Sequence, residues 1–584
     1  MLRKTKIVAT IGPASERVEV LTRLIEAGVD VCRLNFSHGT QEEHRQRIAN
    51  IREAGRIVGK DVGIMIDLKG PEIRIGTFEN GKILLKEGDL FTLTTEPVVG
   101  NQERVWVQYP GIVHDVPEGG YLLLDDGNLT FQAVEVRPTE IVCRVIVGGP
   151  LSDRKKVNLP GTKVSLPALS EKDEADIRFG VEMGVDFVAG SFIRKAQDVL
   201  DIRRVIEQAG GNQQIISKVE SQEGFDNLEA ILQVSDGLMV ARGDLGVEVP
   251  TEEVPLMQKR MIERANVMGK PVITATQMLE SMVTKPRPTR AEASDVANAI
   301  MDGTDAIMLS AESAAGQYPV EAVRTMASIA RRTEAALDHS ENLSRHGRFG
   351  RLDTVTEAIS HATVTTASDL GATAIVSATT SGFTARMVSK YRPSCPVIAV
   401  TPSPQVARQL RLVWGVVPVV MEEPLDSDDL TQRAVEGALR SGVVKNGDLI
   451  IITAGLPLGV KGTTNLIKVH TVADVLAQGT GIGRRPVTGV ARVVLSEEDL
   501  DAVQPGDILI TRFTDAPYVP AMERAAGIVT EEGGLTSHAA VAGISLGKPV
   551  IVGAAEATRR IPDGAVVTLD VAHGLVLRGE ATVR

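Results

Sequence analysis

The feature that most constrains this chain is a long alternation of short aliphatic runs with amphipathic helical stretches. Runs at 7–10, 29–34, 62–67, 187–192, 215–219, 238–241, 271–276 and 306–309 read as strands buried on both faces. Residues 16–27, 42–58, 171–183, 199–208, 225–232, 254–267, 290–301 and 320–337 carry apolar side chains at helical spacing. Eight strand–helix units in succession predict an α/β fold closed as a (β/α)8 TIM barrel. Aromatic residues make up only 3% of the chain, so the core has to be aliphatic, which suits a parallel sheet.

One unit is interrupted. Strand three ends near Asp67, yet its helix is expected only from Glu171. The stretch between alternates apolar and polar residues at 82–85, 90–93, 105–107, 121–124, 132–136 and 141–147. A loop of that length does not stay structureless in a compact domain. An inserted β-barrel domain, a lid over the barrel mouth, is therefore expected at 71–166, with the TIM barrel at 1–70 and 167–341. A basic stretch at 342–350 reads as a linker, after which α/β alternation resumes and predicts an α/β domain over 342–478. The run Gly479-Thr480-Gly481-Ile482-Gly483-Arg484-Arg485-Pro486 reads as a flexible hinge, 479–486. Residues 487–584 then predict a small β/α domain of swivelling type. Four domains are what a length of 584 residues suggests.

The balance of 63 Lys and Arg against 75 Asp and Glu, a net charge of −12, argues against a nucleic-acid or anionic-membrane binder. Cys32, Cys143 and Cys395 form no CxxC pair, which excludes a zinc ribbon or disulfide scaffold and fits a reducing compartment. No run of about twenty uncharged apolar residues predicts a membrane span, and no secretory leader is recognised at the start. A soluble, cytoplasmic protein is expected.

In such a barrel the catalytic groups stand at the C-terminal ends of the strands. Here those ends are polar. Strand two ends in Arg33-Leu34-Asn35-Phe36-Ser37 and strand three in Asp67-Leu68-Lys69. Strand five carries Lys218 and Glu220, and strand six ends in Arg242-Gly243-Asp244. Strand seven ends in Thr276-Gln277 and strand eight in Ser310-Ala311-Glu312. One such end is most often a cap or loop residue; six together point to a site. Glu220 and Asp244, on neighbouring strands, can share one divalent ion, and two carboxylates completed by water and substrate oxygens suit Mg2+ or Mn2+. Arg33, Arg74 and Lys218 supply cations for a phosphorylated substrate. By themselves these residues specify phosphoryl transfer or enolate chemistry on a small anion.

The segments Ile7-Val8-Ala9-Thr10-Ile11-Gly12-Pro13, Arg33-Leu34-Asn35-Phe36-Ser37-His38-Gly39, Lys69-Gly70-Pro71-Glu72-Ile73-Arg74 and Val157-Asn158-Leu159-Pro160-Gly161 resemble pyruvate kinase. So do Ile216-Ser217-Lys218-Val219-Glu220, Ala241-Arg242-Gly243-Asp244-Leu245-Gly246, Ala275-Thr276-Gln277-Met278-Leu279-Glu280-Ser281-Met282 and Pro288-Thr289-Arg290-Ala291-Glu292. The resemblance runs in order from residue 1 to about 475, to the bacterial form with an extra C-terminal domain. It implies transfer of the phosphoryl group of phosphoenolpyruvate to ADP, giving ATP and, after enolate protonation, pyruvate. It implies Mg2+ (or Mn2+) on Glu220 and Asp244, and Lys218 neutralising the moving phosphoryl group. It places Arg33 on the phosphate, and the Gly243 and Asp244 backbone with the Thr276 hydroxyl on the substrate carboxylate. Nucleotide contacts fall on Asn35, Arg74 and Lys155, with a second Mg2+ arriving with ADP. The enolate proton comes through a relay near Thr276, Ser310 and Glu312.

The same resemblance assigns a K+ site to Asn35, Ser37, Asp67 and the Leu68 carbonyl. Leu68 and Ile75 replace the family's usual Thr residues, as in its K+-independent members. Glu72, however, stands where those members carry Lys. A Lys there would supply the positive charge internally and Glu cannot, so K+ dependence is expected. At strand eight Ala311 replaces a usual Gly, which is tolerable only at negative φ. The Lys that usually follows is missing, which bears on the nucleotide side.

Two further segments stand out. Thr379-Thr380-Ser381-Gly382-Phe383-Thr384 lies between a strand and a helix, where hydroxyls and N–H groups form an anion site or simply a cap. Its position matches the family's effector loop, so a phosphorylated effector is expected, sugar phosphate and AMP both remaining open. Glu532-Gly533-Gly534-Leu535-Thr536-Ser537-His538-Ala539-Ala540 resembles the phosphohistidine motif of PEP-utilising enzymes. The sequence shows no nucleotide-binding domain that would charge His538, so a structural or regulatory domain is expected. The alternatives are a PEP–pyruvate phosphotransferase acting through phosphorylated His538, and a silent metabolite-binding barrel; intact Lys218, Glu220, Asp244 and Thr276 argue against the latter. Cys32 is expected to be a buried, inert thiol. The family implies a homotetramer that switches by subunit rotation.

Overall fold

The computed structural model describes residues 2–337, 354–424, 427–456, 463–472 and 475–581. The linker expected at 342–350 lies outside them. The chain falls into two compact units, one of Met1–Arg351, Ser389–Arg392 and Ser403–Val416, the other of Leu352–Val388, Pro393–Pro402 and Val417–Arg584.

In the first unit eight parallel strands close on themselves: Lys6–Thr10, Val31–Asn35, Gly63–Asp67, Phe187–Gly190, Gln214–Val219, Gly237–Ala241, Val272–Ala275 and Ala306–Leu309. The first pairs with the last in register from Lys6 with Ala306 to Ala9 with Leu309. Alternate residues explain the unbroken aliphatic runs. Val8, Val31, Met65, Phe187, Ile216, Met239, Ile273 and Met308 fill the interior. Ile7, Cys32, Leu34, Ile64, Ile66 and Ile307 face outward onto the helices. The interior is a packed core, which leaves the C-terminal rim for chemistry. The helix expected over 225–232 is two short ones, Gln222–Asp226 and Leu228–Val234. They break at Asn227, whose side chain donates to the Arg194 carbonyl at 2.9 Å.

The insert, expected as a β barrel, consists of a six-stranded sheet and a two-stranded ribbon around a core that includes Phe91, Leu93, Phe131 and Ile141. The expected strands recur as Lys82–Leu85, Leu90–Thr94, Arg104–Trp106, Tyr121–Leu124, Leu129–Val136 and Glu140–Val147. Strands Gly149–Ser152 and Val157–Asn158 were not foreseen, because Gly149 and Pro150 break the apolar alternation of the first and two residues are too short to show one in the second.

The second unit holds two sheets. In the five-stranded one, Ala374–Ala378 pairs in parallel with Val397–Thr401 and Leu449–Ala454. The eight-stranded one corrects the expected hinge at 479–486. Thr480–Ile482 pairs antiparallel with Val550–Val552, and Val475–Gln478, expected in the α/β domain, pairs with Leu575–Arg578. The Gly479 N–H donates to the Gly574 carbonyl at 2.8 Å. A Cβ on Gly481 would lie 1.9 Å from the Val571 carbonyl oxygen. These glycines serve close backbone approach, not flexibility. Among the described residues no helix is long and apolar enough to cross a membrane.

Candidate active site

The polar strand ends converge on Asp67, the last residue of strand three and 1% exposed. One of its oxygens accepts from Arg33 Nε at 2.7 Å; the other accepts from Lys218 Nζ at 3.2 Å and Ser191 Oγ at 3.3 Å. Arg33 also donates to Thr10 Oγ1 at 3.0 Å. Lys218 Nζ donates to Ser191 Oγ at 2.7 Å and faces Glu220 Oε1 at 3.1 Å. Burial works to strip the Lys218 ammonium of its proton, but Asp67 and Glu220 outweigh it and hold the group charged. Burial likewise disfavours the Asp67 carboxylate, and Arg33 and Lys218 overcome it, keeping Asp67 below the usual carboxylate range. A permanently charged lysine and arginine thus share one buried carboxylate at the rim.

Glu220 behaves differently. Burial, with Asp244 adding to it and Lys218 opposing, pushes its carboxyl up to about 7. Oε2 accepts from the Phe192 N–H at 2.6 Å, while Oε1, buried, accepts no well-directed hydrogen bond. Phe192 has φ +54°, the left-handed region, and this turn aims its N–H at Glu220. Asp244 Oδ1 accepts from Lys156 Nζ of the insert at 2.6 Å, and Lys156 lies over the Phe192 ring at 4.4 Å. Glu220 Oε1, ion-paired with Lys218 and beside a second carboxylate, is a donor that one added cation can share. Among the described residues no group of three or more His, Cys, Asp or Glu forms a metal cage, so the pair would need oxygens from elsewhere.

Strand seven ends in strain. Thr276 and Gln277 have φ +64° and +54°. Arg242 donates to the Ala275 and Thr276 carbonyls at 3.1 and 2.7 Å and pairs with Asp295 at 2.7 Å, fixing that turn. Thr276 Oγ1 accepts from the Gly243 N–H at 2.8 Å, so the ends of strands six and seven are joined at the expected carboxylate site. Glu312, 2% exposed, accepts from the N–H groups of Ser310 and Leu279 at 2.7 and 3.1 Å. It ties the loops of strands seven and eight. Ala311 opens the helix Ala311–Ala314 and is not among the positive-φ residues, so its Cβ is accommodated.

Comparison with known proteins agrees with this geometry. Residues 2–323 match the family model "Pyruvate kinase, barrel domain", 357–470 "Pyruvate kinase, alpha/beta domain" and 503–574 "PEP-utilising enzyme, mobile domain". The chain is 55% identical to a pyruvate kinase of Geobacillus stearothermophilus over 587 residues and 53% identical to one of Bacillus licheniformis over 588, covering 100% of both chains in each case. The crystal structure of a pyruvate kinase from Cryptosporidium parvum is similar with a TM-score of 0.77 at 41% identity, over 80% of this chain and 96% of that one. The chain belongs to the pyruvate kinase family.

Membership in the pyruvate kinase family directs attention to the residues outside this cluster. Arg74 pairs with Glu72 at 2.8 Å and donates to the Arg154 carbonyl, and Lys155 pairs with Asp125 at 2.6 Å, so both cations are held within the insert. Asn35 Oδ1 accepts from the Ser37 N–H at 3.1 Å. The Leu68 carbonyl accepts from Ser191 Oγ at 2.8 Å, so Ser191 links the expected K+ ligands to Lys218. Cys32 is buried and its thiol is pushed up to about 12 by burial, as expected of an inert thiol. In the second unit Thr379, Thr380, Ser381 and Thr384 line a cavity with Thr401, Glu422 and Arg433. Gly382 has φ +77° and its N–H donates to Thr379 Oγ1 at 2.9 Å. His538 opens the helix His538–Leu546, and its Nδ1 lies 2.9 Å from Thr514 Oγ1. Sequence reasoning missed Lys156, Ser191 and Phe192. Ser191 and Phe192 directly follow strand four, a position the strand-end rule covers; Lys156 has no such signal.

Proposed function

We propose that this chain moves the phosphoryl group of phosphoenolpyruvate to ADP at the rim formed by Arg33, Lys218, Glu220, Gly243, Asp244 and Thr276. The observation that carries this reading is the charged Lys218 at 3.1 Å from the buried Glu220 Oε1, with the Asp244 carboxylate acting on the same group. Arg33 binds the phosphate of the substrate. Lys218, held charged at a fixed position by Asp67, Glu220 and Ser191, faces the phosphoryl group as it passes from the enol oxygen to the terminal oxygen of ADP. Glu220 and Asp244 hold Mg2+ or Mn2+, which supplies positive charge for substrate and phosphoryl oxygens. The Asp244 N–H, with the Gly243 N–H and Thr276 Oγ1 once these turn from each other to the substrate, orients the substrate carboxylate. Arg74, Lys155 and Asn35 serve the nucleotide. The enolate is protonated through hydroxyls and water near Thr276 and Ser310, with Glu312 fixing the loops that carry them.

Asn35, Ser37, Asp67 and the Leu68 carbonyl hold K+, and Glu72 leaves no internal substitute for it. The loop Thr379, Thr380, Ser381, Gly382 and Thr384 binds a phosphorylated effector, sugar phosphate or AMP, in a cytoplasmic homotetramer. A coupled assay with phosphoenolpyruvate, ADP and Mg2+ tests the reading. We expect turnover with K+ and little with Na+ or without a monovalent cation. Equal turnover in all three overturns the K+ site; no direct phosphorylation of ADP overturns the whole.

A further inference from the structure

Lys156 stands where the insert meets the barrel rim. Its ammonium donates to Asp244 Oδ1 at 2.6 Å and lies 4.4 Å from the centroid of the Phe192 ring. The Phe192 N–H in turn holds Glu220 Oε2 at 2.6 Å. One lysine and one strained residue thus hold both carboxylates of the proposed metal pair. Bridge pairing with Arg74 fixes the Lys156 backbone. Its neighbour Lys155 turns to Asp125 inside the insert, so the two lysines point to different partners. The Lys156 side chain is only 12% exposed, and the aromatic face beneath it replaces part of its hydration. An ammonium and a divalent cation on the same carboxylate repel each other at close range.

We propose that Lys156 is a tethered competitor for the divalent cation: its ammonium occupies Asp244, and metal binding at Glu220 and Asp244 evicts that ammonium from the carboxylate. This inference rests on the reading of Glu220 and Asp244 as the metal ligands. It has a sign that separates it from its rival. If Lys156 merely ordered Asp244 for metal, removing the ammonium would weaken metal binding. If it competes, removing it tightens binding.

The test is a titration of the full chain with Mn2+ alone, followed by the electron paramagnetic resonance of free Mn2+. Lys156→Gln is expected to lower the Kd for Mn2+ about three- to fivefold, the scale of one partly exposed ion pair. Lys156→Arg keeps the charge and is expected to bind like wild type. Equal or weaker Mn2+ binding by Lys156→Gln overturns the competition. Asp244→Asn in the same titration tests the underlying reading separately. If it binds Mn2+ as tightly as wild type, the carboxylate pair is not the metal site, whatever the Lys156 variants do.

Discussion

Lys218 stands between two buried carboxylates. Its ammonium lies 3.2 Å from Asp67 and 3.1 Å from Glu220, yet 2.7 Å from a neutral hydroxyl, Ser191. Against its burial, Asp67 and Glu220 hold it above the ordinary lysine range, so it serves as a positive charge. Lys218→Met should therefore lower kcat by about 10²–10³-fold or more, while the affinity for phosphoenolpyruvate changes little. Steady-state kinetics and a direct binding measurement check both halves, and equal turnover in mutant and wild type would refute the role. At this scale the sequence was most informative for side chains at strand ends. Arg33, Asp67, Lys218, Glu220, Asp244 and Thr276 all sit where a parallel barrel must put its strand termini. Lys156 was not legible, because it reaches the rim from another domain and its neighbour Lys155 looks the same in sequence.

At the scale of elements, the turns after the strands set the geometry. Gly70 follows strand three with φ +71°, and a Cβ there would come within 2.8 Å of Ser191 Cβ. Gly70→Ala should cost about 1–2 kcal/mol from the backbone alone. It should also push Ser191 away from Lys218, so kcat falls in a variant that still folds. Turnover equal to wild type, measured beside thermal unfolding, would show that the packing at Ser191 does not reach the lysine. Thr276 and Phe192 show the opposite case, non-glycine residues held at positive φ by their hydrogen bonds. Nothing in their sequence marks them as strained. The barrel strands and the longer helices were legible because they show their hydrophobic period. The short strands Gly149–Ser152 and Val157–Asn158, and the break at Asn227, were not, because they depend on partners distant in sequence.

At the scale of the whole molecule, the last domain raises a separate question, since it matches the mobile domain of PEP-utilising enzymes and keeps His538. Direct transfer at the barrel rim has no step for a phosphohistidine. His538→Ala should leave turnover from phosphoenolpyruvate to ADP unchanged; a collapse of turnover in a correctly folded variant would revive the phosphotransferase alternative. Residues 479–486 show why the domain organisation was only partly readable. Gly479 and Gly481 look like a hinge, yet they pack against Gly574 and Val571, about ninety residues on. The net charge of −12 gains a local meaning here, because the rim gathers Arg33, Lys218 and Lys156 against an acidic background. The sequence alone determined the barrel, the inserted β domain and the residues at the strand ends, because hydrophobic period and strand polarity are local properties. Only the tertiary structure decided which charges meet. The Lys156–Asp244 contact, the strained turn at Phe192 and the sheet that takes in the supposed hinge all join segments far apart in the chain, and no local pattern encodes a distance between them.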